Sequence, residues 1–192
     1  MSRQLETFKI SFTGFMIALT AILEIINRLV PLRAPWGMSI DFVAIPLIIT
    51  FLTFGIKYAL FVSLGMFIIL TAIGYGGIIG AVMKTICTTS MIIILWIISK
   101  ISSKYTSVIN YTIASILAII TRCIIAMILN YYWAIPLFFG IPIEKAIEIF
   151  FYGSIIGFIT YVSTMNAGQG IIDLYVSWII FKTIKKIKIR KK

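Results

Sequence analysis

Histidine is missing from this 192-residue chain, and acidic residues number only six against 17 lysines and arginines. Without histidine, the commonest side-chain general base and every imidazole metal ligand are gone. The two cysteines, Cys87 and Cys123, sit inside apolar runs without CxxC spacing, so they read as buried thiols rather than a metal site or a disulfide. No GxxxxGK[ST] phosphate loop, GxSxG elbow or HExxH pair occurs, and no carboxylates are paired at catalytic spacing. Nothing here supports an enzyme, and ATP hydrolysis through a phosphate loop is excluded. No internal repeat relates the two halves, which argues against a complete secondary transporter built by duplication.

What the chain has in excess is apolar surface. Hydrophobic residues make up 61% of it and the mean hydropathy is +1.10, against roughly 45–50% apolar residues in soluble domains. A water-soluble fold of this length cannot hide so many Ile, Leu and Phe side chains, so the sequence predicts an all-α integral membrane protein. It reads as one membrane domain, residues 1–192, multi-pass in the cell membrane. A crossing helix needs about 20 apolar residues. Six predicted crossings follow, at about residues 8–30, 40–54, 57–73, 78–98, 108–133 and 163–184. The second is short and carries Pro46 inside it, and a loop with Pro31, Arg33, Pro35 and Gly37 precedes it. No small-residue cleavage site follows the first run, so it reads as a span and not as a signal peptide.

Charge gives the bundle a direction. With six crossings, Arg3, Lys9, Lys57, Lys100, Lys104 and the basic tail of residues 182–192 share one side, while Arg33, Glu144, Lys145 and Glu148 share the other. That is the positive-inside pattern, with both termini cytoplasmic. Seven of the 17 basic residues lie in the tail, with no basic domain behind them, so an anionic membrane surface suits them better than nucleic acid. Counting residues 147–161 as a further crossing places the tail outside. They are expected instead to be re-entrant, interfacial or packed on protein at the outer side.

Polar residues at membrane depth are costly and therefore informative. Asp41 opens the second predicted helix, either as a carboxylate at a helix N-terminus or as a rim group of a ligand pocket. Lys84 lies near the outer end of the fourth, where it either snorkels or meets a ligand. Glu24, Arg122 and Asp173 lie deeper and read as an internal ion pair, with the partner of Arg122 left open. Asn130 ends the fifth helix beside Tyr131, Tyr132 and Trp133; Asn166 and Gln169 open the sixth. Amides at two helix ends on one side can hydrogen-bond a planar heterocycle, with aromatics flanking its rings. A helix cap and an interfacial aromatic belt account for the cluster otherwise.

Three short segments carry a resemblance: Ile40-Asp41-Phe42 with Ile45-Pro46, Asn130-Tyr131-Tyr132 with Ile135-Pro136-Leu137, and Asn166-Ala167-Gly168-Gln169-Gly170 before a helix with a basic end. At these places the chain resembles the substrate-binding S components of energy-coupling factor (ECF) transporters, especially the riboflavin-type members. The resemblance implies a six-helix vitamin-capture subunit of an importer, with Asn130, Asn166 and Gln169 at places where the family meets its ligand. Asp41 and Lys84 join them as candidates on the reading of the residues themselves, since the stretch 80–84 does not follow the riboflavin pattern. It further implies a transmembrane coupling protein and two ATPase subunits as partners, and no cofactor beyond the transported vitamin. Riboflavin-type members carry Asn-x-x-Lys-Gly where this chain has Gln169, so another vitamin such as pantothenate, thiamine or folate stays open beside riboflavin. Family members dock on their partner through Ala-x-x-x-Ala in the first helix, and Gly14-Phe15-Met16-Ile17-Ala18 is the corresponding small-xxx-small pair. Internal packing is the other use for Gly14 and Ala18, and a membrane scaffold without a pocket is the alternative outside transport.

Overall fold

The structure, a computed structural model, describes residues 2–30, 32–101 and 107–190, with the side chains of Ser2 and residues 187–190 outside that description. Pro31, Lys104 and the last two lysines therefore lie outside the described residues. Among the described residues, everything apart from one two-stranded hairpin and the connecting turns is helical. Helix α1, Ser2–Leu29, owes its place to a helical repeat of inward residues. Thr13, Met16, Thr20, Glu24 and Asn27 are buried at three- and four-residue spacing, while Gly14, Phe15, Ala18, Ile22, Ile25 and Ile26 face outward.

Strands β1, Leu32–Arg33, and β2, Ser39–Ile40, then pair antiparallel, Leu32 opposite Ile40 and Arg33 opposite Ser39. Helix α2 begins only at Ile45 and ends at Phe54, which corrects the expectation of a helix from residue 40. Pro46 thus sits in its first turn, where the missing N–H has no intrahelical partner to lose. Asp41 precedes the helix; its Oδ1 accepts the Val43 N–H at 2.9 Å and so holds the turn between strand and helix. Ile45 to Phe51 are all buried, as expected for a helix apolar all round. At about 1.5 Å per residue α2 is roughly 15 Å long, half the hydrocarbon thickness. It packs instead against α1, helix α3, Ile56–Ile73, and helix α8, Ile155–Arg190. Close packing, more than hydrophobicity, holds helices together where lipid is the solvent. A Cβ on Gly65 of α3 meets the Ile17 side chain at 2.7–2.8 Å, so glycine there lets α1 and α3 approach.

Helix α4, Gly77–Ile101, lies beside α3, and helix α5, Val108–Leu129, beside α4 and α8. α5 does not stop near residue 133 as expected. It runs through a π-helical turn, Asn130–Ala134, into the short helix α6, Ile135–Phe139. The Ile135 N–H bonds to the Asn130 carbonyl. Pro136 lacks an N–H and its ring crowds the carbonyl four residues back, so a widened turn just before it relieves that clash. Helix α7, Ile143–Phe150, and α8 meet at 75°. Tyr152 and Gly153 adopt left-handed φ values of 57° and 70° there, and Ser154 Oγ accepts the Gly157 N–H at 3.3 Å. That serine cap starts α8 eight residues before the expected residue 163, so residues 147–161 are not one segment but the end of α7, a turn and the start of α8.

Among the described residues, four helical stretches are long and apolar enough to cross a membrane: Arg3–Leu29, Ile56–Ile73, Gly77–Ile101 and Val108–Phe139. The bent pair Ile143–Phe150 with Ile155–Lys186 is a fifth, while Ile45–Phe54 is too short to qualify by length.

Candidate ligand-binding cavity

A cavity of about 140 Å³ lies where the hairpin, the second half of α1, turn 74–76, the first turns of α4, the π-helical turn with α6, and α8 come together. Asp41, Lys84, Asn130 and Asn166 all line it, although they come from four different parts of the chain. Gln169, placed with them by sequence, does not line it and is fully buried behind it. Its Oε1 accepts the Asp41 N–H at 2.9 Å, and its Nε2 donates to the Asp41 carbonyl and to Asp173 Oδ1, both at 2.7 Å. The amide thereby clamps the backbone of the turn that carries Asp41, an arrangement resembling one rung of a β-ladder. Both N–H donors of Gln169 and one lone pair of its oxygen are used within the protein.

From that clamp a polar network spreads under the cavity. Lys84 Nζ donates to Asp41 Oδ1 at 2.7 Å, a pair with side-chain exposures of 12% and 5%, so lysine turns inward rather than snorkelling. Arg122 meets Asp173, not Glu24: NH1 lies 3.3 Å from Asp173 Oδ2, and Nε donates to Asn166 Oδ1 at 3.2 Å. Asn166 Nδ2 donates to the Val162 carbonyl at 2.9 Å. Asn130 Nδ2 donates to the Ala126 carbonyl at 2.8 Å, and among the described residues its Oδ1 has no partner. Mid-bundle charges are tolerable only when so paired.

The aromatic expectation is corrected. Tyr131, Tyr132 and Trp133 follow Asn130 in sequence, but none of them lines the cavity. Tyr131 packs on Phe158 at 5.8 Å between ring centres, and Tyr132 is 77% exposed. Helical rotation carries them to other faces of the helix. The cavity takes its rings from Trp36 of the hairpin, Tyr75 of the turn after α3, and Phe138 of α6. Arg33 stacks its guanidinium 3.8 Å from the Tyr75 ring centre, tying the hairpin to that turn.

Two further lining residues, Glu24 and Asn27, belong to α1. Sequence reading placed Glu24 in an ion pair and passed over Asn27. Their spacing of three on the inward stripe of α1 was the available signal. Gly14 and Ala18 are exposed and a Cβ on Gly14 meets nothing within 4 Å, so internal packing does not occupy that pair.

The overall fold matches a solved structure of the S component of a bacterial ECF transporter, with a TM-score of 0.64, 20% identity, and coverage of 96% of this chain and 97% of that one. The fold class is thus that of the ECF S components. Riboflavin transporter RibU of Lactococcus lactis subsp. cremoris, in strains NZ9000 and MG1363, is 30% identical over 197 residues, spanning 92% of this chain and 94% of the relative. The chain belongs to this family of riboflavin-type S components, multi-pass proteins of the cell membrane and transporter subunits rather than enzymes. No family model matches it.

Proposed function

We propose that this chain is the vitamin-binding membrane subunit of an ECF importer and that its ligand is riboflavin. The observation that carries the reading is convergence: Asn130, Asn166, Asp41 and Lys84 meet the rings of Trp36, Tyr75 and Phe138 around one cavity. A planar heterocycle with ring carbonyls and N–H groups matches amides beside aromatic faces. The relatives' names point to the same ligand. Gln169 acts one layer back, holding the Asp41 turn in place.

The chain crosses the bilayer six times with both termini in the cytoplasm, α2 being a short crossing sheathed by protein and α7 lying at the outer side. The Glu6–Tyr58 hydrogen bond of 2.5 Å supports this reading, because it brings the starts of α1 and α3 to the same end, with Lys9 and Lys57 beside Tyr58. Import needs a transmembrane coupling protein and two ATPase subunits, because the sequence offers no phosphate loop. The outward Gly14–Ala18 face of α1 is the docking surface for the coupling protein, where small side chains let two helices come close.

Detergent-purified protein is expected to quench riboflavin fluorescence stoichiometrically at micromolar concentration or below, and to carry a flavin identifiable by mass spectrometry. No quench and no flavin overturn the assignment. A second vitamin class is favoured by one observation: Gln169 stands in the place of the family's lysine and is turned away from the cavity, so the cations there are Lys84 and Arg122. A thermal-shift panel separates the two, since a ligand at 100 times its Kd adds roughly 2.7 kcal/mol.

A further inference from the structure

We infer that Glu24 and Asn27 form a separate subsite for the hydroxylated chain of the ligand, distinct from the amide pole at Asn130 and Asn166. The inference rests on the flavin reading above and adds what recognises the part of riboflavin that is not the ring. Glu24 is 3% exposed and Asn27 9%, both line the cavity, and both sit on the inward stripe of α1. Among the described residues, no basic side chain forms an ion pair with Glu24. Asn27 Nδ2 donates to Glu24 Oε2 at 3.3 Å, and this contact fixes the amide orientation, because the reverse sets two acceptors face to face. Among the described residues, Asn27 Oδ1 is left buried without a partner.

The carboxylate of Glu24 and the Asn27 oxygen therefore offer more acceptor positions in the cavity wall than the Asn27 amide and the backbone N–H of Tyr75 beside Glu24 fill. A buried acceptor without a partner is destabilising, and one that lines a cavity is positioned to be satisfied by whatever enters it. The indole N–H of Trp36, which lines the same cavity, is likewise buried without a partner. Unpaired acceptors together with an unpaired donor suit hydroxyl groups, which donate and accept at once; an ammonium satisfies only the acceptors. A ring carbonyl offers the acceptors nothing. The polyol chain of riboflavin has this chemistry, and lumiflavin, with the same ring and a methyl in place of the chain, lacks it.

The test compares riboflavin with lumiflavin on purified full-length protein by fluorescence quenching and calorimetry. Wild type is expected to bind riboflavin more tightly than lumiflavin. Asn27→Leu and Glu24→Leu are expected to weaken riboflavin about tenfold or more, the effect of losing a hydrogen bond to a buried or charged acceptor, while leaving lumiflavin unchanged. Retained lumiflavin binding also certifies that the variants fold. Glu24→Gln, which keeps one acceptor, is expected to fall between. Equal loss for both flavins, or no loss for either, overturns the subsite and leaves the flavin assignment standing. Wild type that binds neither flavin overturns both.

Discussion

Arg122 on α5 and Glu24 on α1 are both ionisable and both buried, but their surroundings differ. Arg122 reaches Asp173 and Asn166, and the network continues through Gln169 to the Asp41 turn and Lys84. Glu24 has the Asn27 amide, whose own oxygen is unpaired. A network whose members satisfy one another is rigid and fixes the relative positions of α4, α5, α8 and the hairpin turn. A cluster with spare acceptors instead keeps hydrogen-bonding capacity for something that arrives later. The first builds the cavity and the second meets its contents.

Breaking one side of the closed network is the harshest way to test that contrast. Arg122→Met leaves Asp173 buried and uncompensated, with an expected loss of about 3–5 kcal/mol, read as a large drop in the detergent melting temperature. Arg122→Met combined with Asp173→Leu is expected to recover most of it, because replacing a whole buried pair by apolar groups is far cheaper than halving it. Next in size is Gln169→Leu, which frees the Asp41 N–H and carbonyl at roughly 1–3 kcal/mol for each group left unpaired. Its mark is loss of ligand affinity from a residue that does not line the cavity. Glu24→Leu removes an ionisable group from the open cluster and is expected to leave the melting temperature unchanged or higher. A drop as large as that of Arg122→Met erases the distinction between the clusters. Ala18→Leu is expected to leave both melting and ligand binding unchanged while abolishing co-purification with the coupling protein, since only the outward face of α1 is altered. Smallest of all is Lys9→Gln, which removes the ion-pair partner of the exposed Glu6 and is expected to lie within the error of a thermal scan.

Much of this was legible beforehand, but unevenly. Apolar length located the long helices, because a helix in lipid must be about as long as the bilayer is thick. Local rules located the ends less well. Pro46 was readable as a first-turn proline and Ser154 as a cap, yet the apolar runs around them hid both boundaries. For the site, sequence singled out Asp41, Lys84, Asn130 and Asn166 as expensive polar residues near one end of the bundle, and the structure places all four on the wall of one cavity. Adjacency to Asn130 also suggested Tyr131, Tyr132 and Trp133 as flanks for the ligand, with an interfacial aromatic belt as the other reading. Neighbours in a helix diverge by about 100° per residue, so adjacency says little about which of them share a face.

The sequence alone determined that the chain is helical, lies in a membrane and carries a few costly polar groups but no phosphate-loop motif: these follow from composition, run length and residue order, which do not depend on partners in space. Only the tertiary structure decided that Arg122 meets Asp173, that Gln169 clamps the Asp41 turn instead of facing the cavity, and that Glu24 and Asn27 stand apart with acceptors to spare. Hydrogen bonds are short-ranged and directional, so bonds between residues 128 positions apart are fixed by how α8 and the hairpin turn pack, which the linear order of residues does not encode locally.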